Sequence, residues 1–122
     1  MEIAAAFFAA SRSGDMEQLR SLLSADVTAY ADGGGKVPAA VHPIIGFEKV
    51  MQLHAGLASI YAANMSRLLR YGQINGLPGF VTIEQNATLQ TTALQIETGK
   101  IVAIYVTRNP DKLHHLAGAA IH

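Results

Sequence analysis

The sequence contains no cysteine. That absence removes disulfides, thiolate metal sites and cysteine nucleophiles, and leaves a reducing compartment open to the protein. Charge is scarce as well: charged residues make up 15% of the chain, and nine Lys and Arg are balanced by nine Asp and Glu for a formal net charge of zero. Without a positive excess there is no electrostatic footprint for a phosphate backbone, so direct nucleic-acid binding is not expected. Long apolar runs are missing too. The stretch from Ile3 to Ala10 has no basic lead, follows Glu2 and is broken by Arg12. It is too short to span a membrane and lacks the form of a signal peptide, so no membrane association is expected and the cytoplasm is the default location. What is present is 122 residues, half of them hydrophobic, which suits a single domain over 1–122 with one core.

Ile3, Ala6, Phe7 and Ala10 recur at the spacing of one helical face, and Ser11-Arg12-Ser13-Gly14 ends the pattern. Asp15 stands three residues before Gln18, a capping pair for a second helix whose buried stripe is Met16, Leu19, Leu22 and Leu23 and which is expected to stop near Ala25. From Val27 the period changes to two. Val27, Ala29 and Ala31 point one way, and Thr28, Tyr30 and Asp32 the other. The strand runs into Gly33-Gly34-Gly35. The segment Lys36 to Pro43 contains two prolines, which restrict it to an edge strand or an extended return. A third helix after Gly46 carries the stripe Phe47, Val50, Met51, His54, Leu57, Ala58 and Tyr61, which puts His54 on its apolar face.

The remainder reads as four strands, Ser66 to Ile74, Gly79 to Gln85, Thr88 to Ile96 and Lys100 to Thr107. Asn75-Gly76 and Thr98-Gly99 supply hairpin turns between neighbours. Asn109-Pro110 then caps a short C-terminal helix. This order gives an α+β fold in which helices pack on one face of a curved antiparallel sheet and enclose a pocket. The later strands look apolar on both sides, and a second copy covering the outer face would make a homodimer.

Few motifs carry chemistry by themselves. Gly33-Gly34-Gly35-Lys36 lacks the spacing and the following Ser or Thr of a phosphate loop, and no dinucleotide fingerprint surrounds it. The glycines serve either as a turn or as a place where backbone can approach a ligand beside Asp32 and Lys36. His54 is either a core histidine satisfied by a backbone carbonyl or a base, acid or hydrogen-bond donor in the pocket. Tyr30 and Asp32 share a strand face, as a proton donor and acceptor in a pocket would. Tyr30, Asp32, Gly34, Lys36 and His54 are therefore the candidate ligand-binding residues, with Asp32, His54 and Tyr30 as the catalytic candidates. The pocket is placed between the third helix and the concave sheet face, with Lys36 near its mouth. No metal is expected: His114 and His115 are adjacent on the expected helix and diverge, and no His-Glu-x-x-His spacing occurs.

Three segments together are familiar: Asp32-Gly33-Gly34-Gly35-Lys36, Asn75-Gly76-Leu77-Pro78-Gly79, and Tyr105-Val106-Thr107-Arg108-Asn109-Pro110-Asp111-Lys112-Leu113. With Ser11 to Asp15 they resemble the C-terminal SnoaL-like domain of extracytoplasmic-function sigma factors of the sigma factor J type. The resemblance spans essentially the whole chain. It implies the cystatin-like, nuclear-transport-factor-two-like cone, with three N-terminal helices packed on a curved antiparallel sheet. It also implies a domain that modulates a sigma core, with Asn109, Pro110, Asp111, Lys112 and Leu113 as an interaction motif and a sigma-factor core or RNA polymerase as partner. No sigma region two or four precedes the domain here, so the chain is read as a stand-alone relative or an excised piece. Because the same cone hosts isomerases, cyclases and epoxide hydrolases, two functions follow. The first is a small-ligand-binding or regulatory domain for an apolar molecule. The alternative is a small cofactor-independent enzyme using acid-base chemistry in the pocket. Neither needs a cofactor.

Overall fold

A computed structural model of the protein describes residues 2–32, 43–64, 66–84 and 88–108. In chain order the elements are α1 (Glu2–Ser13), α2 (Met16–Leu22), β1 (Leu23–Asp32), β2 (Ile44–Ile45), α3 (Phe47–Asn64), β3 (Arg67–Ile74), β4 (Leu77–Glu84), β5 (Thr88–Glu97) and β6 (Lys100–Arg108). The α+β class, the three helices and the hairpin series agree with the sequence reading. The expected turn at Gly33 to Gly35, most of the return segment and the helix after Asn109 lie outside the described residues.

Local chemistry explains most boundaries. The Asp15 carboxylate accepts from the Gln18 backbone N–H at 3.1 Å and so starts α2. That helix ends earlier than its apolar stripe suggests: Leu23 is extended and opens β1, where its side chain is still buried. A leucine can join a core from either geometry, so the stripe overran the helix. Asn75 and Gly76 have φ of 52° and 83°, and Thr98 and Gly99 have φ of 53° and 75°. Two successive positive values are those of the tight turn whose twist matches a hairpin.

The sheet order is β2-β1-β6-β5-β4-β3. All neighbours are antiparallel except β1 and β6, which run parallel with Tyr30 opposite Tyr105 and Ala31 opposite Val106. The sheet is antiparallel as expected apart from this one pair. Hairpin signals fix only the directions of successive strands, and β1 meets β6 across most of the chain. Register shifts between Leu23 and Thr28, Leu68 and Arg70, and Gln95 and Ile96 interrupt three of the ladders. Such bulges bend the strands they occupy, which is how an extended sheet curves around helices.

One face of the sheet meets the helices. Ala4, Phe7 and Ala10 of α1, Leu19 of α2, and Val50 and Met51 of α3 pack with Val27, Ala29, Phe80, Leu94, Ile101 and Ile104 from the strands. By alternation the same face of β5 and β6 carries Gln90, Thr92, Val106 and Arg108. The core therefore grades into a polar end. Among the described residues, no helix is long and apolar enough to cross a membrane.

Gly79 allows the close approach of β4 to β5. A Cβ there would lie 2.0 Å from the Thr92 carbonyl oxygen and 3.0 Å from Ile74 Cγ1. Gly79→Ala must push two paired strands apart and is expected to cost about 1–3 kcal/mol, the usual range for overpacking. A urea midpoint unchanged from the parent protein would contradict this close approach.

Candidate functional site

The site begins with a buried cation. Arg12 lies near the end of α1, where its guanidinium stacks over the Tyr61 ring of α3 at 4.0 Å. Its Nη2 donates to Glu84 Oε2 at 2.5 Å, its Nε to Ser66 Oγ at 3.1 Å and its Nη1 to Ser11 Oγ at 2.9 Å. Glu84 in turn accepts from the hydroxyls of Ser66 and, at 2.6 Å, Thr82. The two charged side chains are only 12% and 8% exposed. So deep a charge persists only when paired and hydrogen-bonded, and this network supplies both.

Beside this network opens a cavity of about 140 Å³ between α3, β1 and the polar end of β5 and β6. Its apolar walls include Phe7, Ile44, Leu53, Leu57 and Val106, and its polar groups include Arg12, His54, Gln90, Thr92 and Arg108. His54 is buried, with its ring edge-on to Phe7 at a centroid distance of 5.4 Å. Its Nδ1 lies 2.9 Å from the Val50 carbonyl oxygen. A carbonyl only accepts, so Nδ1 carries the proton and Nε2 keeps its lone pair. Burial lowers the His54 pKa from its ordinary value, the Val50 carbonyl opposes that shift, and the positive charge of Arg12 adds to it. Across the cavity, Arg108 Nε donates to Gln90 Oε1 at 2.7 Å. Among the described residues, the hydroxyl of buried Thr92 has no hydrogen-bond partner.

His54 and Tyr30 thus border one cavity. The Tyr30 ring, 40% exposed, stacks on Tyr105 at 4.9 Å and 8° between planes. Asp32 ends β1 with its backbone opposite Thr107; its side chain, Gly34, Lys36 and the segment from Asn109 to Leu113 lie outside the described residues. Arg12, Gln90, Thr92 and Arg108 are lining residues absent from the candidates that the sequence offers. In the sequence Arg12 stands out as a break in an apolar stretch, in the signal that ends the first helix and within the Ser11 to Asp15 segment of the resemblance, none of which marks it as a site residue. Gln90 and Thr92 sit at the same alternation as Leu94 and Ile96, so two polar side chains on a core-facing register were the available signal. Among the described residues, no cluster of three His, Cys, Asp or Glu could hold a metal ion.

Glu84→Ala would strand the Arg12 charge in the interior and is expected to cost about 3–5 kcal/mol. Adding Arg12→Met to Glu84→Ala should recover part of that loss. Two independent, additive losses in a denaturation cycle would show that the pair is not coupled. For His54, the folded pKa lies below 6.5, so the unfolded chain binds the proton first as pH falls. Stability is therefore retained above about pH 6.5 and declines on acidification through the folded pKa. His54→Gln should flatten the fall in Tm between about pH 7 and 5 relative to the parent; parallel curves would refute the assignment.

No family model matches the chain. The chain is 32% identical over 119 residues to the ECF RNA polymerase sigma factor SigJ of Mycobacterium tuberculosis (strain ATCC 25618 / H37Rv), an alignment covering 91% of this chain and 38% of SigJ. It thus spans well under half the length of that relative. The crystal structure of SigJ superposes with a TM-score of 0.69 at 30% identity, over 91% of this chain and 42% of the other. A cystatin-like-fold protein from Silicibacter pomeroyi DSS-3 reaches 0.71 at 14% identity, over 97% and 82% of the two chains. A SnoaL-like protein from Burkholderia thailandensis E264 reaches 0.70 at 9%, over 88% and 91%. At such low identity these last two speak for the fold alone, while SigJ adds a likeness in sequence. Fold and sequence agree: the chain has the cystatin-like, nuclear-transport-factor-two-like fold and resembles the C-terminal SnoaL-like domain of extracytoplasmic-function sigma factors of the sigma factor J type.

Proposed function

We propose that this domain binds a small, mostly apolar molecule in the cavity beside α3 and serves as a regulatory module, with a sigma-factor core or RNA polymerase as its protein partner in the cytoplasm. The observation that carries the ligand is the Thr92 hydroxyl, buried on the cavity wall without a partner among the described residues. Buried hydroxyls are nearly always hydrogen-bonded, so a ligand oxygen placed there removes a standing cost. Apolar walls with a few convergent polar groups are the usual form of a small-molecule site. The regulatory half rests on the likeness to part of an RNA polymerase sigma factor. Self-association through the sheet face bearing the Tyr30–Tyr105 stack is the matching proposal for a homodimer, since that stack leaves Tyr30 exposed.

A second reading has its own support. His54 has one nitrogen anchored on Val50, and its pKa is lowered by burial, so at neutral pH its Nε2 can accept a proton. That is the base an isomerase or cyclase would need. Turnover of an enolisable ketone that disappears in His54→Ala would favour the enzyme.

A panel of neutral probes no larger than benzyl alcohol or cyclohexanone tests the binding reading by thermal melting. A cavity of this size holds roughly one benzene ring. A probe at about 100 times its Kd should raise Tm by roughly 5–10 °C. His54→Ala and Thr92→Val should reduce that shift, and a panel that moves Tm for none of its members would sink the reading.

A further inference from the structure

We propose that the cavity selects a small organic anion, a carboxylate with a compact apolar body, and that Arg108 is the residue that reads the charge. The inference rests on the ligand-binding reading above and names the class of ligand.

The cavity walls carry two arginines and, among the described residues that line them, no carboxylate. The two cations differ in what they have left to offer. Arg12 is neutralised by Glu84 and spends each of its three nitrogens on a hydrogen bond. Arg108 has no acidic partner among the described residues, and its one hydrogen bond goes from Nε to a neutral amide oxygen of Gln90. Gln90 is itself buried, so it holds the guanidinium plane without cancelling the charge. Among the described residues neither Nη group has an acceptor, and paired guanidinium N–H groups fit the two oxygens of a carboxylate.

The strand register places a third group beside that fork. Gln90 pairs with Arg108 and Thr92 with Val106, so Thr92 and Arg108 are diagonal neighbours on the cavity face, about 7–8 Å apart at the backbone. The unpartnered Thr92 hydroxyl can donate to the same anion. Apolar walls from Leu53 and Leu57 of α3, facing the sheet, and from Ile44 of β2 would take the body of the ligand. An unpaired cation beside an apolar cavity favours an anionic head over a neutral one, because the wall weakens solvent screening of the pair.

Benzoate and benzamide, which share shape and differ in charge, test this by calorimetry or by ligand-observed NMR. The parent protein should bind benzoate about tenfold or more tighter than benzamide, the scale of charge-assisted hydrogen bonds. Arg108→Gln should close that gap while keeping benzamide affinity. Benzamide binding as tight as benzoate, or a gap that survives Arg108→Gln, overturns the assignment and leaves the cavity as a neutral-ligand site. If Arg108→Gln loses benzamide as well, Arg108→Lys decides: it should bind benzoate more weakly than the parent with benzamide unchanged, and equal benzoate affinity overturns the role of the fork. Silence to both probes and to the neutral panel alike defeats the ligand-binding reading itself, and this inference with it.

Discussion

The Arg12 guanidinium sits where the end of α1, the Tyr61 turn of α3, Ser66 at the foot of β3 and Glu84 at the end of β4 converge. Removing such a charge from water is tolerable only if a carboxylate accompanies it, and that carboxylate is tolerable only if its remaining lone pairs find donors. Ser66 and Thr82 provide them. Each member of the network therefore requires the next, and together they set where α1 and α3 cross the sheet. The cavity lies in the space this crossing leaves open. The network also keeps the chemistry of the cavity simple, since Arg12 reaches its wall already neutralised.

Strand alternation does the rest. The inward register of β5 and β6 runs from Leu94 and Ile104, packed under the helices, to Gln90 and Arg108 at the other end. Because one face of a strand is continuous, the core and the site are built from the same row of side chains. A cavity made this way has an apolar body and one polar end, and its charge is decided by which polar residues occupy the last few positions. Here they are an amide, an unpartnered hydroxyl and a guanidinium.

Much of this architecture was legible in the sequence because it depends on local physics. The stripe of α3, from Val50 through Met51 and His54 to Tyr61, is buried as its 3.6-residue period requires. Asn75-Gly76 and Thr98-Gly99 make turns because their residues accept positive φ. Illegible were the features that depend on long-range pairing. The parallel meeting of β1 and β6 leaves no local mark, and the Arg12 network joins residues separated by more than fifty positions. Arg108 and Gln90 face each other across a hairpin whose turn is obvious. Yet a β5 composed of Thr, Gln, Leu and Ala reads as half-apolar on either side, so its inward face is ambiguous until the helices choose one.

His54 shows how a structural and a chemical role can reside in one ring. The bond to Val50 is the backbone satisfaction expected of a core histidine, made within its own helix. The same bond fixes the proton on Nδ1 and so determines that the other nitrogen is an acceptor. Burial and the positive charge of Arg12 both disfavour a second proton. The ring consequently contributes polarity to the cavity without charge. With Arg12 paired and His54 neutral, Arg108 is the charged group that remains to define the cavity's electrostatics among the described lining residues. The Arg12 network thus acts twice on what the cavity can hold: it neutralises its own cation at the cavity wall, and it leaves Arg108 as the cation without a carboxylate among the described lining residues.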